Sequence, residues 1–106
     1  MYVVSATIGR NLGTTPMSAQ RWHEFIADTQ GTLEQNTFER QRESIELRMG
    51  RGEWAGIEED SAMVTVLLRS GLSDAAKANL KRDLTELARF YEQDAIALTI
   101  GQSELC

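Results

Sequence analysis

Cysteine, proline and histidine each occur once in this chain of 106 residues, as Cys106, Pro16 and His23. A lone cysteine at the last position forms no internal disulfide, so nothing calls for an oxidising compartment. One histidine and one thiol cannot build a zinc site without several carboxylates. A thiol on a free end is also a poor partner for a Cys–His dyad. His23 reads as a solvated residue on the polar side of a helix, without the positioned partner that acid–base work needs. Long apolar runs are missing too, and no stretch approaches the ~20 residues of a membrane span. The opening MYVVSATIGR has neither the basic region nor the long apolar region of a signal peptide, so the expected compartment is the cytoplasm. Basic residues are outnumbered, 11 Lys+Arg against 16 Asp+Glu, for a formal net charge of −5. Long nucleic acid is held by clustered cations that release counterions, and an excess of carboxylates opposes this. A local arginine cluster can still take a small anionic ligand. No Walker sequence, dinucleotide fingerprint or calcium-loop spacing occurs, so no cofactor or metal is expected.

What remains is an ordinary core composition, with 42% hydrophobic and 25% charged residues, in a length suited to one domain. Residues 2–8 alternate: Tyr2, Val4, Ala6 and Ile8 share one face, and Val3, Ser5 and Thr7 the other. That period marks a strand. Two glycines and the proline make 9–17 a loop. Ser18 then reads as an N-cap, with Met17 and Trp22 at the two positions of a hydrophobic staple. Trp22, Phe25, Ile26 and Thr29 form one face of a helix expected to end near Gly31. Ile45, Leu47 and Met49 alternate with Ser44, Glu46 and Arg48, giving a strand over about 42–49. The run FERQRE at 38–43 is open between strand and helical turn. Residues 50–61 read as a long hairpin connection, and 62–68 (AMVTVLL) as a strand buried on both faces. Ser73 caps a helix whose apolar face carries Ala76, Leu80, Leu84, Leu87, Ala88 and Tyr91. Residues 95–100 (AIALTI) make the last strand.

The order βαββαβ predicts an α+β, ferredoxin-like sandwich in one domain over 1–106. Its four-stranded antiparallel sheet would carry both helices on one face, with the first and third strands central. The other face looks too apolar for full exposure, so a homodimer or a ligand pocket is expected against it.

Three segments carry candidate binding chemistry. The loop GRNLGTTP leads from a strand into a helix, and Arg10, Asn11 and Thr14 add donors beside a helix N-terminus, where anions are favoured. The stretch around Trp54 sets an aromatic between glycines, with Glu53, Glu58, Glu59 and Asp60 close by. Arg40, Arg42 and Arg48 have the parity to share a face of the second strand, with Arg51 just beyond. The set expected to bind is Arg10, Asn11, Thr14, Arg48, Trp54 and Glu59. Each segment also has a plainer reading: a structural βα loop, a tryptophan folded on the sheet among solvated acids, and a charged edge strand that discourages aggregation. The functional expectation is a small binding protein that sequesters a small anionic ligand or blocks a partner protein. The alternative is a small carboxylate-dependent enzyme of the dimeric ferredoxin-like type, with Glu53, Glu59 or Asp60 as base. A purely structural assembly component is a third reading.

The segments MYVVSATIGRN, PMSAQRWHEFI, GEWAGIEEDS leading into AMVTVLL, and YEQDAIALTIG together resemble short phage- and prophage-encoded proteins of ferredoxin-like type. The Gln93–Asp94 pair before the last apolar run is also similar to the final strand of small ferredoxin-like domains. The resemblance implies a phage accessory or anti-defence protein that blocks a host protein or sequesters a signalling ligand. It assigns no residue a role.

Overall fold

A computed structural model describes residues 1–104, apart from the Trp54 side chain. Cys106 lies outside the described residues. The elements in chain order are β1 (Tyr2–Gly9), β2 (Asn11–Leu12), β3 (Thr15–Pro16), α1 (Ala19–Gln35), a 3-10 turn (Glu39–Gln41), β4 (Arg42–Trp54), β5 (Ile57–Leu68), α2 (Asp74–Phe90) and β6 (Ala97–Gln102). The main sheet runs β4-β5-β1-β6 and is antiparallel throughout. β1 and β5 are therefore central, as the apolar content of 62–68 requires. In register, Val4 lies between Val66 and Ile100, and Ala6 between Val64 and Leu98. Leu33 of α1 and Leu80 and Leu84 of α2 pack with Val4, Ala6, Val64 and Val66, so both helices cover that face. This is the expected ferredoxin-like α+β sandwich.

A second cluster joins Ile8, Met17, Trp22, Phe25, Ile26, Ala62 and Tyr91. It anchors the loop that precedes α1. The Ser18 hydroxyl accepts the Arg21 amide at 3.2 Å, and Met17 and Trp22 are both buried, as a capped and stapled helix start demands.

Several boundaries differ from the sequence reading, the last strand among them, at Ala97–Gln102 rather than 95–100. The 9–17 loop folds back as the small β2–β3 ribbon, turning at Gly13, whose φ of 64° suits a residue without a Cβ. Helix α1 runs through Gly31 to Gln35 because Leu33, fully buried, continues the same apolar stripe. Burying a leucine outweighs the ~1 kcal/mol that an interior glycine costs. The 38–43 run, open between strand and helical turn, is a 3-10 turn over Glu39–Gln41, and β4 starts at Arg42 as expected, with a register shift between Arg42 and Ser44.

The largest difference is in 50–61, which is two strands rather than a connection. β4 and β5 stay paired out to Trp54↔Ile57, and the turn is only Ala55–Gly56. Both turn residues have positive φ, 51° and 80°. That pair of angles belongs to the type I′ turn, whose twist matches the strands it joins. Alanine is a poor occupant of the left-handed region, at a cost of roughly 1 kcal/mol. Ala55→Asn is therefore expected to raise stability by about 0.5–1 kcal/mol, read as a higher denaturant midpoint at unchanged slope.

Among the described residues, no helix is long and apolar enough to cross a membrane.

Candidate functional site

The extended hairpin and the 9–17 loop meet at the end of β1. The Arg10 amide donates to the Asp60 carbonyl at 3.0 Å, and the Arg10 carbonyl accepts the Met17 amide at 2.9 Å. The Arg10 guanidinium then spans the junction, donating from Nε to the Met17 carbonyl at 2.9 Å and from Nη1 to Asp60 Oδ2 at 3.1 Å. On the other side of Asp60, Arg51 Nε lies 3.8 Å from Oδ1, and Arg51 Nη2 pairs with Glu58 at 3.1 Å. Asp60 thus sits between two guanidinium groups.

Glu59 points the other way along the hairpin. Its Oε2 accepts the Asn11 backbone amide at 2.8 Å, while Asn11 Nδ2 donates to the Glu58 carbonyl at 3.3 Å. The carboxylate crosses directly over Gly9, where a Cβ would overlap it. Glycine at position 9 is what lets the acid reach the loop. From far along the chain, Gln93 Nε2 donates to the Asn11 carbonyl at 3.0 Å and holds the ribbon from behind.

Of the six residues expected to bind, the fold therefore brings Arg10, Asn11 and Glu59 into one clasp. Thr14 is exposed on the ribbon turn, and Arg48 is exposed on β4, 3.9 Å from Glu46. Trp54 closes the hairpin with its backbone, two register positions from Gly52, the partner of Glu59. Its side chain lies outside the described residues. Gly9 and Gln93 belong to the clasp and were missed. A glycine at a strand end hints at close approach, but nothing near Gln93 in sequence points to Asn11.

The chemistry of the clasp follows from who already holds whom. The Asn11 amide is taken by Glu59, its side-chain amide by the Glu58 carbonyl, and the Arg10 cation by Asp60. The junction carries Glu53, Glu58, Glu59 and Asp60 against Arg10 and Arg51, so it is acidic on balance. Such a surface favours hydroxyl and ammonium donors over phosphates. Glu53 and Glu58 are exposed, and Glu59 and Asp60 are half-buried in the bonds just given. Among the described residues no group of three His, Cys, Asp or Glu side chains is placed to hold a metal ion.

A separate groove of about 420 Å³ runs between α2 and the segment entering β6. Leu84, Ala88, Ile96 and Leu98 form its floor, with Lys81 and Arg89 at its rim. None of the hairpin acids lines it.

No family model matches this sequence, and no curated protein does either. Among solved structures, a phage SAM lyase in complex with S-methyl-5′-thioadenosine aligns with a TM-score of 0.62. The alignment covers 95% of this chain and 80% of the lyase, at 17% identity. What the two share is the fold. The neighbour is itself a phage protein, in keeping with the resemblance drawn from the sequence. A de novo designed protein, Foldit4, aligns over 97% of this chain and 96% of its own at a TM-score of 0.44 and 10% identity.

Proposed function

We propose that this chain is a small ligand-binding protein whose site is the junction of the 9–17 loop and the β4–β5 hairpin. The observation that carries the reading is the clasp itself: Glu59 and Asp60 of β5 reach back to Asn11 and Arg10, some fifty positions earlier in the chain, and make an acidic junction near the β4–β5 turn. The ligand class that suits it is a nucleoside. A carboxylate such as Glu59 is a fit acceptor for ribose hydroxyls, the pairing that acidic residues make in dinucleotide sites. The residue type at position 54, tryptophan, is one on which a base stacks well. The structural neighbour is described with a nucleoside thioether, which gives the first compound to try. The small anionic ligand expected from the arginines would have to displace Asp60 from Arg10 or Glu59 from Asn11. Sequestering such a ligand, or blocking a partner protein, is the role that this binding would serve in a phage-type accessory protein.

The test is calorimetric titration of the chain with S-methyl-5′-thioadenosine and, separately, with inorganic phosphate. Saturable binding of the nucleoside supports the reading. Trp54→Ala should then weaken binding ~10-fold, since stacking of one base is worth about 1–3 kcal/mol, without moving the melting temperature. No heat with the nucleoside sinks it, and binding of phosphate instead would restore the anionic ligand. The neighbour is named a lyase, so SAM is titrated as well and the mixture separated by chromatography. Release of S-methyl-5′-thioadenosine would replace binding by catalysis, the carboxylate-dependent alternative.

A further inference from the structure

Among the described residues β4 is an edge of the sheet, with β5 on one side and no strand on the other. An edge strand exposes a row of backbone donors and acceptors ready to pair with another chain. On the face that carries the helices, this edge also exposes apolar side chains. Leu47 is 44% and Met49 57% exposed, and Ile45 beside them only partly packs against the core. On the opposite face, at the same height, stand Glu46 and Arg48, 59% and 75% exposed.

We infer that a second copy of this chain covers this edge, by antiparallel pairing of β4 with β4 about a two-fold axis through Leu47. The sequence of the strand is complementary to itself in that register. Leu47 lies opposite its own copy, Ile45 opposite Met49, Glu46 opposite Arg48, and Ser44 opposite Gly50. One face of the seam is then apolar and the other carries two Glu–Arg pairs related by the axis. Directly opposed residues interact most strongly in an antiparallel pair, and opposite charges there are favourable while like charges are not. Other registers lose this match. Centring the axis on 46 or 48 puts a carboxylate or a guanidinium opposite itself. Centring it on 45 or 49 sets Leu47 opposite Glu43 or Arg51. A shift by one residue turns the apolar set of one chain toward the charged face of the other.

The register shift between Arg42 and Ser44 falls outside the paired stretch, so 44–50 is regular strand. An axis perpendicular to the sheet leaves all four helices on one side of a continuous eight-stranded sheet. The contact is isologous and closes on itself, as two-fold dimers do. The other edge, β6, has six residues, includes Gly101, and shows no such self-match. The seam leaves the clasp at Arg10 and Glu59 open, so it stands independently of the ligand proposed above.

Light scattering coupled to size exclusion, run over a concentration series, reads the outcome on the full chain. The chain is expected at twice its monomer mass. Glu46→Arg places arginine opposite Arg48, and Arg48→Glu places glutamate opposite Glu46. Each change should weaken self-association at least tenfold and leave monomers. Mixing the two variants sets the two arginines of one chain opposite the two glutamates of the other, so the mixture should return to the dimer mass. The double variant Glu46→Arg/Arg48→Glu should dimerise alone. Both side chains are exposed, so circular dichroism spectra should match the parent and show that the fold is intact. A monomer at every concentration, a trimer, single variants that dimerise like the parent, or a mixture that stays monomeric would each overturn the inference.

Discussion

Alanine in place of Tyr91 is expected to cost about 3–5 kcal/mol, a large share of the ~5–15 kcal/mol that holds a domain of this kind together. Tyr91 caps the C-terminus of α2 and is 1% exposed. Its ring stacks on Phe25 at 4.4 Å and 21°, and meets Phe90 edge-on at 5.0 Å. The Arg21 guanidinium lies 4.8 Å from the ring centre, and the phenol donates to Asp28. Alanine removes all of these contacts and leaves a cavity between α1 and α2. Urea unfolding should show the loss as a lower midpoint. Phenylalanine keeps the ring and drops only the bond to Asp28, so Tyr91→Phe should cost less, about 1–3 kcal/mol.

The same residue carries an alkaline signature. Burial, the hydrogen bond to Asp28, and the nearby charges of Asp28 and Glu24 push the phenol above its ordinary value of 10, against a smaller opposing effect of Arg21. The unfolded chain therefore releases this proton at a lower pH than the folded one. The stabilisation it provides is complete below about pH 10 and is lost as pH rises beyond that. A stability profile measured through pH 8–11 should fall at its alkaline end, and Tyr91→Phe should flatten that fall. A parent and variant with parallel profiles would rule out the coupling.

The second large effect is expected at the clasp. Arg10→Ala removes the ion pair with Asp60 and the bond to the Met17 carbonyl together. Bonds made by a half-buried charged group are worth about 1.5–3 kcal/mol, so a loss near 2 kcal/mol is expected. The effect should be local as well as global. Hydrogen exchange at the Met17 and Asn11 amides, bonded to the Arg10 carbonyl and to Glu59, should speed up relative to the centre of β1. A double-mutant cycle with Asp60→Ala separates the contributions. Coupling of roughly 1 kcal/mol marks a true pair, whereas strict additivity would mean that Arg10 acts through the Met17 carbonyl alone.

How much of this was legible beforehand depended on the range of the forces involved. The alternation of Tyr2–Ile8 and the apolar run 62–68 identified the central strands, because a side chain in a strand buries or exposes by a period of two. Ser18 and Ser73 identified both helix starts, because capping is settled within four residues. Gly31 misled as a helix end, since the stripe closing on Leu33 is rewarded only when a sheet lies beneath it. Gly50 and Gly52 misled in the same way, suggesting a loop where pairing with Ser61 and Glu59 keeps them in strand. At the site, Arg10, Asn11 and Glu59 were named from local chemistry. That Glu59 would occupy the very amide of Asn11, and Asp60 the cation of Arg10, was not visible from residues almost fifty positions apart.

Element order, the helix caps and the ferredoxin-like architecture could all be read from the residues, because they rest on interactions between near neighbours or on periodic burial; the run 62–68, read as buried on both faces, is buried on the helix face alone and only half-buried at Met63, Thr65 and Leu67 on the other. Three features emerged only once the chain was folded. The hairpin is regular to its two-residue turn, its acids turn back onto the 9–17 loop, and Leu47 and Met49 stand uncovered at a sheet edge. These depend on which strands meet and in what register, and register is a property of the whole sheet that no local stretch of sequence encodes.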